Sequence, residues 1–486
     1  MNTIPPGNDS LAAVTSLGTA ESYGGARVSP WHRPVPPTVL AVVLWASTAA
    51  GRWVGYLPRI PSFLTVAAGV VLLAGRGRMR AVVVCLGAVV LGLAGGAREW
   101  AVTQVQPGEC GGSARVITDP RVFGSAVSAV LSVDGVRLRA TGNGSVGARL
   151  SRFPAGSTVR VHGTCAPVRD VRRARELVNH VTGRMSVDEV SEFAGDGGAP
   201  WRAANRVRSL FLRGTRTMGA DDAALFAGLV IGDDSRQPGR MIEEFRASGL
   251  SHLCSVSGQN VAFVLAAFSP LLRRLRPTAR LAATLSVIAW FVLLTRAEPS
   301  VLRASFMAAV VALNFFRGRP MNGRSVLAVS VCALLVIDPV LAFSVGFMLS
   351  AGATAGLAWF SHPLEKVLRL PPVVAATLAA QVGTLPVAVL VFGRLPLVSL
   401  VANPLAVPVA GAVMLLGIPV ALVAGVMPDA VATVAGVVMA VPTRFVAVVA
   451  HLCAEVEPGG RWSLVGWCGV VCLLVLKGRR HPSVAG

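Results

Sequence analysis

Thirteen residues, GLSHLCSVSGQNV at 249–261, crowd a histidine, three serines, a glutamine and an asparagine just ahead of an apolar run, AFVLAAF. Side chains of these types serve three kinds of chemistry. They line a wet path, they tie helices together, or they pair His252 with Ser255 or Ser257 as base and nucleophile. On a helix from 250, His252, Ser255 and Gln259 share one face, while Ser257 and Asn260 form a neighbouring stripe. Gly258 leaves room between them for close packing or a local break. The enzymatic reading is disfavoured, because no acidic residue stands nearby in sequence to orient the histidine and Gly-x-Ser-x-Gly is absent. No catalytic residue is therefore assigned.

Further polar residues punctuate the apolar sequence downstream. Arg303 follows a short charged segment containing Glu298, so it reads as an ion-pair partner, as a cation reaching back to the interface, or as a contact for incoming phosphates. Gln381 and Thr384 share a face of the 373–392 run, where Pro386 frees a backbone carbonyl. Asn403-Pro404, with Pro408 beyond, predicts a broken or re-entrant segment over 397–406, tolerated at membrane depth only beside protein or water. Asp338-Pro339 predicts the cap of a span. Polar groups inside spans are functional candidates by default, and interhelical hydrogen bonding is the alternative for each of them.

The elements that must hold these residues are membrane helices. Of 486 residues, 53% are hydrophobic and only 14% charged, too apolar for a soluble chain. Apolar runs recur from residue 38 to 476, several near the length that crosses a bilayer, where backbone hydrogen bonding forces helices. The expectation is a polytopic α-helical membrane protein of about 12 spans. The first ~35 residues are polar and rich in Pro and Gly, so no removable signal peptide is expected. The net charge of +21 invites a nucleic-acid reading, but basic cytosolic loops are expected anyway. Threading the chain with both ends inside puts 76–80, 273–280, 317–324, 366–369 and 477–480, the basic clusters, in the cytosol.

Residues 107–195 break the hydrophobic pattern. VSAVLSV and VRLRAT alternate around Asp134-Gly135, a type I′ hairpin signal. Further strands are expected at 113–118, 157–163 and about 184–190, making a small, OB-like β-barrel that the topology places on the outer face. Cys110 and Cys165 flank this domain and read as a disulfide outside the cytosol, or as two free thiols. The other six cysteines lie in apolar runs. No paired Cys or His motif suggests a metal site, and no cofactor is expected. Arg137 and Arg139 on one strand, Arg160 on a neighbouring strand, and Arg172 and Arg173 in RDVRRARE are candidates for phosphate contact, with a solvated surface as the alternative. Residues 201–218 set Trp201, Val207, Leu210, Phe211 and Met218 against arginines, an amphipathic helix along the outer interface. The organisation is thus a cytosolic tail (1–34), N-terminal spans (35–100), the β domain (107–195), interfacial helices (201–248), a membrane core (249–476) and a basic tail (477–486).

Several blocks then carry a resemblance. GLVIGDDS (228–235), FRASGLSHLCSVSGQNVAF (245–263), PSVLRASFMAAV (299–310), IDPVLAFSVGFMLSAGA (337–353) and QVGTLPVAVLVFGRLPLVSLVANPLAVP (381–408) resemble the ComEC-type competence proteins, in family order. The resemblance implies an inner-membrane channel that admits transforming DNA as a single strand, with an outer OB-like domain. Two departures stand out. Gln259-Asn260 occupies the place where many members have a histidine. The metallo-β-lactamase-like domain of longer members has no counterpart, since HxHxDH is absent and the sequence stops at Gly486. No enzymatic activity is therefore expected. On this reading His252, Ser255, Ser257, Gln259, Asn260, Gln381, Thr384 and Asn403 line the path and Arg303 stands at its mouth. A neutral polar lining suits a polymer that must slide and be released. No Walker A motif is present, so the implied partners are a cytosolic helicase-like motor, an outer DNA receptor and a separate nuclease, beside the lipid bilayer. A small-solute transporter and a scaffold of a DNA-uptake complex are the rival readings.

Overall fold

A computed structural model describes residues 36–54, 78–102, 104–254, 258–393, 395–458, 462–463, 465–467 and 469. The polar tails, the apolar run at 60–75, most of that at 463–476, and Ser255 and Ser257 lie outside the described residues.

The chain enters through two apolar helices, α1 (Pro37–Val54) and α2 (Arg78–Trp100), packed side by side. It then builds β1 (Gly108–Val116), β2 (Arg121–Phe123), β3 (Ala126–Val133), β4 (Val136–Asn143), α3 (Gly144–Leu150), β5 (Ser157–Pro167), α4 (Asp170–Leu177) and β6 (Gly183–Asp196). The strand order is β1-β5-β6-β4-β3, and β1 pairs again with β3, so five strands close on themselves. All pairings are antiparallel except β4 with β6. β2 is a short addition to β3 that the alternation did not predict. Asp134 and Gly135 turn the β3–β4 hairpin with φ of 49° and 84°, the left-handed pair that a type I′ turn needs. Alternate residues of β3, Val127, Ala129, Leu131 and Val133, point into the barrel and pack on Val159, Val161 and Met185. A disulfide joins Cys110 of β1 to Cys165 of β5 across adjacent strands, with Cα atoms 5.8 Å apart. The barrel and its disulfide agree with the sequence expectation.

After the barrel come α5 (Ala199–Gly214), α6 (Ala220–Ile231), α7 (Gly239–Ala247), α8 (Ser251–Cys254), α9 (Gly258–Leu272), α10 (Pro277–Leu294), α11 (Pro299–Phe316), α12 (Gly323–Ile337), a 3₁₀ turn (Pro339–Phe343), α13 (Val345–Leu368), α14 (Pro372–Phe392), α15 (Ser399–Val426) and α16 (Asp429–Val456). Proline opens α10, α11 and α14, where its missing N–H and fixed φ cost nothing. Gly232 and Gly393 close α6 and α14 in the left-handed conformation. Among the described residues, α10, α14, α15 and α16 are long and apolar enough to cross a bilayer. Four further apolar helices, parts of α1, α9, α11 and α12, are shorter. The chain is a membrane protein built mainly of helices.

Two sequence expectations change here. The segment 397–406 is not broken: α15 runs unbroken from Ser399 to Val426 through Pro404, Pro408 and Pro419. Two features hold it. Ala402, Ala406 and Ala410 form a fully buried face spaced four apart, which seats the helix in the bundle. Glu457 accepts hydrogen bonds from the N–H groups of Leu397 (3.2 Å) and Val398 (3.0 Å), satisfying donors at the helix start with a carboxylate. The amphipathic α5 also does more than lie on a surface. Phe211 stacks on Phe226 of α6 at 5.4 Å, and Arg208, one of the helix's arginines, is 7% exposed.

Candidate functional site

Arg208 is buried because it belongs to a charged junction between barrel and bundle. Asp119, in the loop after β1, receives Arg296 through Nε and a terminal nitrogen, both at 2.9 Å, and Arg208 at 3.1 Å. Arg208 also reaches Asp233 at 3.0 Å and the carbonyl of Leu294 at 3.2 Å. Arg296 extends to Asn205 of α5 at 2.7 Å and lies over Trp201. A second pair, Arg121 with Asp234 at 2.9 Å, stands beside the first. The GLVIGDDS block is thereby explained: Gly232 turns the chain and its two aspartates take one arginine each. Burial alone would raise the Asp119 carboxyl, but Arg208, Arg296 and the N–H of Ala155 hold it below the usual carboxylate range. Burial raises Glu298, with Arg121 opposing.

A second contact lies nearby. Asp338 caps the 3₁₀ turn through Val340 N–H at 3.1 Å and meets His180 of the barrel at 3.2 Å. That hydrogen bond raises the histidine's pKa, against its partial burial. Asp338 therefore caps a helix end, as expected, and also docks the barrel.

Four residues beyond Pro299, the sequence RAS places Arg303 about one helical turn down α11 from the junction. The residue is 4% exposed. It donates to Met307 Sδ at 3.0 Å, to Thr354 Oγ1 at 3.3 Å and to Ser350 Oγ, while Nε has no partner. Among the described residues it forms no ion pair, and in place of the alternative readings of a pair with Glu298 or a reach to the interface the structure shows burial between α11 and α13. The reason is spacing: Ser350 and Thr354, four apart on α13, present hydroxyls on one face toward α11.

The other candidates are divided. Asn260 is 3% exposed and donates to the carbonyl of Leu229 at 3.1 Å, tying α9 to α6. Thr384 bonds back to Ala380 at 3.0 Å on its own helix. Gln381 donates to Ser399, joining α14 to the start of α15, while its Oε1 and Asn403 Oδ1 have no partner among the described residues. His252 is solvent-exposed, with Nδ1 3.2 Å from Gly249 O, and Gln259 is half-buried. Ser255 and Ser257 lie outside the described residues, between Cys254 of α8 and Gly258 of α9. On the barrel, Arg139 is clamped by Glu176 of α4 at 2.7 Å, Arg137 donates to Asn179 O at 3.3 Å, and Arg173 donates to Trp100 O at 2.6 Å. Arg172 is exposed. Arg160 is not on a strand next to Arg137 and Arg139, as expected, because β6 separates β5 from β4.

The blocks that line this junction and bundle also carry the likeness to known proteins. Residues 229–480 match the family model described as competence protein. The chain belongs to that family. It is 28% identical over 191 residues to ComE operon protein 3 of Bacillus subtilis (strain 168), 39% of this chain and 25% of that protein. It is 30% identical over 300 residues to competence protein ComA of Neisseria gonorrhoeae, 58% of this chain and 42% of that one. It is 29% identical over 205 residues to the uncharacterized protein YcaI of Escherichia coli (strain K12), 38% of this chain and 27% of that protein. The competence chain thus spans less than half the length of these curated relatives. No solved structure matches it significantly. The match begins at Leu229, the residue whose carbonyl receives Asn260, and takes in Asp233, Asp234, Arg296 and Arg303. Sequence reading missed Asp119, Asn205 and Arg208, whose signal is weak because their partners lie 25 to 177 residues away.

Proposed function

We propose that this competence-family protein passes single-stranded DNA through the cytoplasmic membrane, entering from the side that carries the barrel. Arg303 carries the reading. A guanidinium taken out of water without an acidic partner is costly, and here only neutral groups hold it. Such a cation serves a visiting anion, and a phosphodiester is the anion that competence supplies. The neutral groups that hold it, Ser350, Thr354 and Met307, and the unpartnered polar atoms elsewhere in the bundle, on Ser305, Ser330, Gln381 and Asn403, bind weakly enough for a strand to slide and be released. The chain's own part is passage. Force comes from a cytosolic ATP-driven motor, delivery from an outer DNA receptor, and removal of the second strand from a separate nuclease. Both termini lie in the cytosol and the barrel outside.

The test follows labelled DNA into cells with and without this gene, scoring surface binding and internalisation separately. Arg303→Gln should keep surface binding and lose internalisation by tenfold or more. Arg303→Lys, which keeps the charge and loses the planar fork to Ser350 and Thr354, should fall between. Normal internalisation by Arg303→Gln would refute the proposal, and lost uptake of a small solute with normal DNA entry would favour the transporter reading.

A further inference from the structure

The outer face of the second and third strands of an OB-like barrel commonly takes oligonucleotides. Here that face belongs to β3 and β4, and the chain covers it with its own α4. Glu176 takes Arg139, Asn179 takes Arg137, and Val130, which points outward from β3, is buried under Val168 and Val181. The unspent charges are elsewhere. A hollow of about 270 Å³ lies between the end of α3 and β6, lined by Arg149, Arg152, Phe153, Glu189, Val190 and Ser191. Among the described residues the side chains of Arg149, Arg152 and Glu189 have no hydrogen-bond or ion-pair partner. Groups of opposite sign therefore face one hollow without closing on each other.

We propose that this hollow is a subsite for one nucleotide of the single-stranded DNA that the chain passes, an inference that rests on the function proposed above. Each lining group answers one part of a nucleotide. Arg149 and Arg152 meet the phosphodiester as charge-assisted donors. Phe153 offers a ring on which any base stacks. Glu189 accepts from a base amino group, as carboxylates do from cytosine N4. Thymine carries no amino group, so the hollow favours cytosine over thymine. Its size is just under the ~300–1,000 Å³ of small-ligand sites and suits one base, not a duplex. Because 153–157 also meets Asp119, Asn205 and Trp201 through Ala155 and Gly156, a strand held there is delivered next to the junction above α11.

The experiment uses the full chain in lipid nanodiscs with fluorescent dC and dT 12-mers, read by anisotropy over a salt series. Arg149→Ala/Arg152→Ala should weaken both oligomers by about tenfold or more and flatten the log–log salt slope by about 1.4, the share of two single-strand phosphates. Arg149→Lys/Arg152→Lys should keep most of that slope. Phe153→Ala should weaken both by about fivefold or more, and Glu189→Ala should bring the dC:dT affinity ratio toward one. Variants that bind like the parent, or Lys and Ala pairs that behave alike, overturn the subsite and leave the conduit standing. A parent chain that binds neither oligomer, in cells whose DNA entry ignores loss of the gene, overturns both.

Discussion

Asp119→Asn is the most informative perturbation of the barrel–bundle junction. The carboxylate takes three contacts of 2.9 to 3.1 Å from two arginines, whose side chains are only about a tenth exposed. Asparagine keeps the shape, removes the charge and turns an N–H₂ toward guanidinium groups that also only donate. Arg208 retains Asp233, but Arg296 loses its carboxylate partner and one of its two acceptors there, keeping at most the amide oxygen beside Asn205. Removing one partner of a buried pair costs about 3–5 kcal/mol, and the quarter exposure of Asp119 argues for the low end, ~3 kcal/mol. At about 1.4 kcal/mol per tenfold, opening of the junction should rise by roughly two orders of magnitude. Hydrogen exchange over 199–214 and 294–298 in the purified chain reads this directly. Arg296→Gln in the same chain should recover at least ~0.5 kcal/mol relative to additivity, since the two side chains touch. Unchanged exchange in Asp119→Asn, or strict additivity, would refute the assignment of this cluster as the junction's main tie. The sign with pH is fixed by the lowered pKa of Asp119. Its contribution is full above the ordinary carboxylate pKa of about 3.9 and is lost as pH falls through the lower folded value.

His180 behaves in the opposite sense. Its pKa is raised by Asp338, so the contact contributes fully below the ordinary histidine value of about 6.5 and is lost as pH climbs through the raised one. The pair is partly exposed, so the effect on exchange at 337–343 should stay under about 1 kcal/mol, and Asp338→Asn should abolish its pH dependence; a dependence that survives would exclude this pair as its source. Gly383→Ala tests the packing of α13 on α14, because an added Cβ would overlap the carbonyl oxygen of Gly352. It should cost about 1–3 kcal/mol, read as a lowered melting temperature in detergent, and an unchanged melt would mean that these helices separate freely.

Much of this protein was legible because its signals are local. Apolar runs bounded by Pro and Gly marked helices, since lipid leaves the backbone no other partner. The 2-residue alternation around Asp134-Gly135 marked the hairpin, and Cys110 and Cys165 flanked the barrel they now join. Asp338 and the GLVIGDDS block were singled out by their sequence. What each polar side chain does was decided only in three dimensions. Arg139 and Glu176 are 37 residues apart, and Arg296 and Asp119 are 177 apart, so no periodicity reveals that one pair closes the usual nucleotide face and the other joins barrel to bundle. Pro404 and Pro408 argued for a break that α15 does not make, because a proline removes one hydrogen bond while the buried alanine face and Glu457 hold the rest of the helix. The same composition that placed Arg303 among hydrophobic residues left its partner open. Folding supplied two hydroxyls and a thioether in place of an acid, partners that lie 4, 51 and 47 residues away and that no local pattern announces.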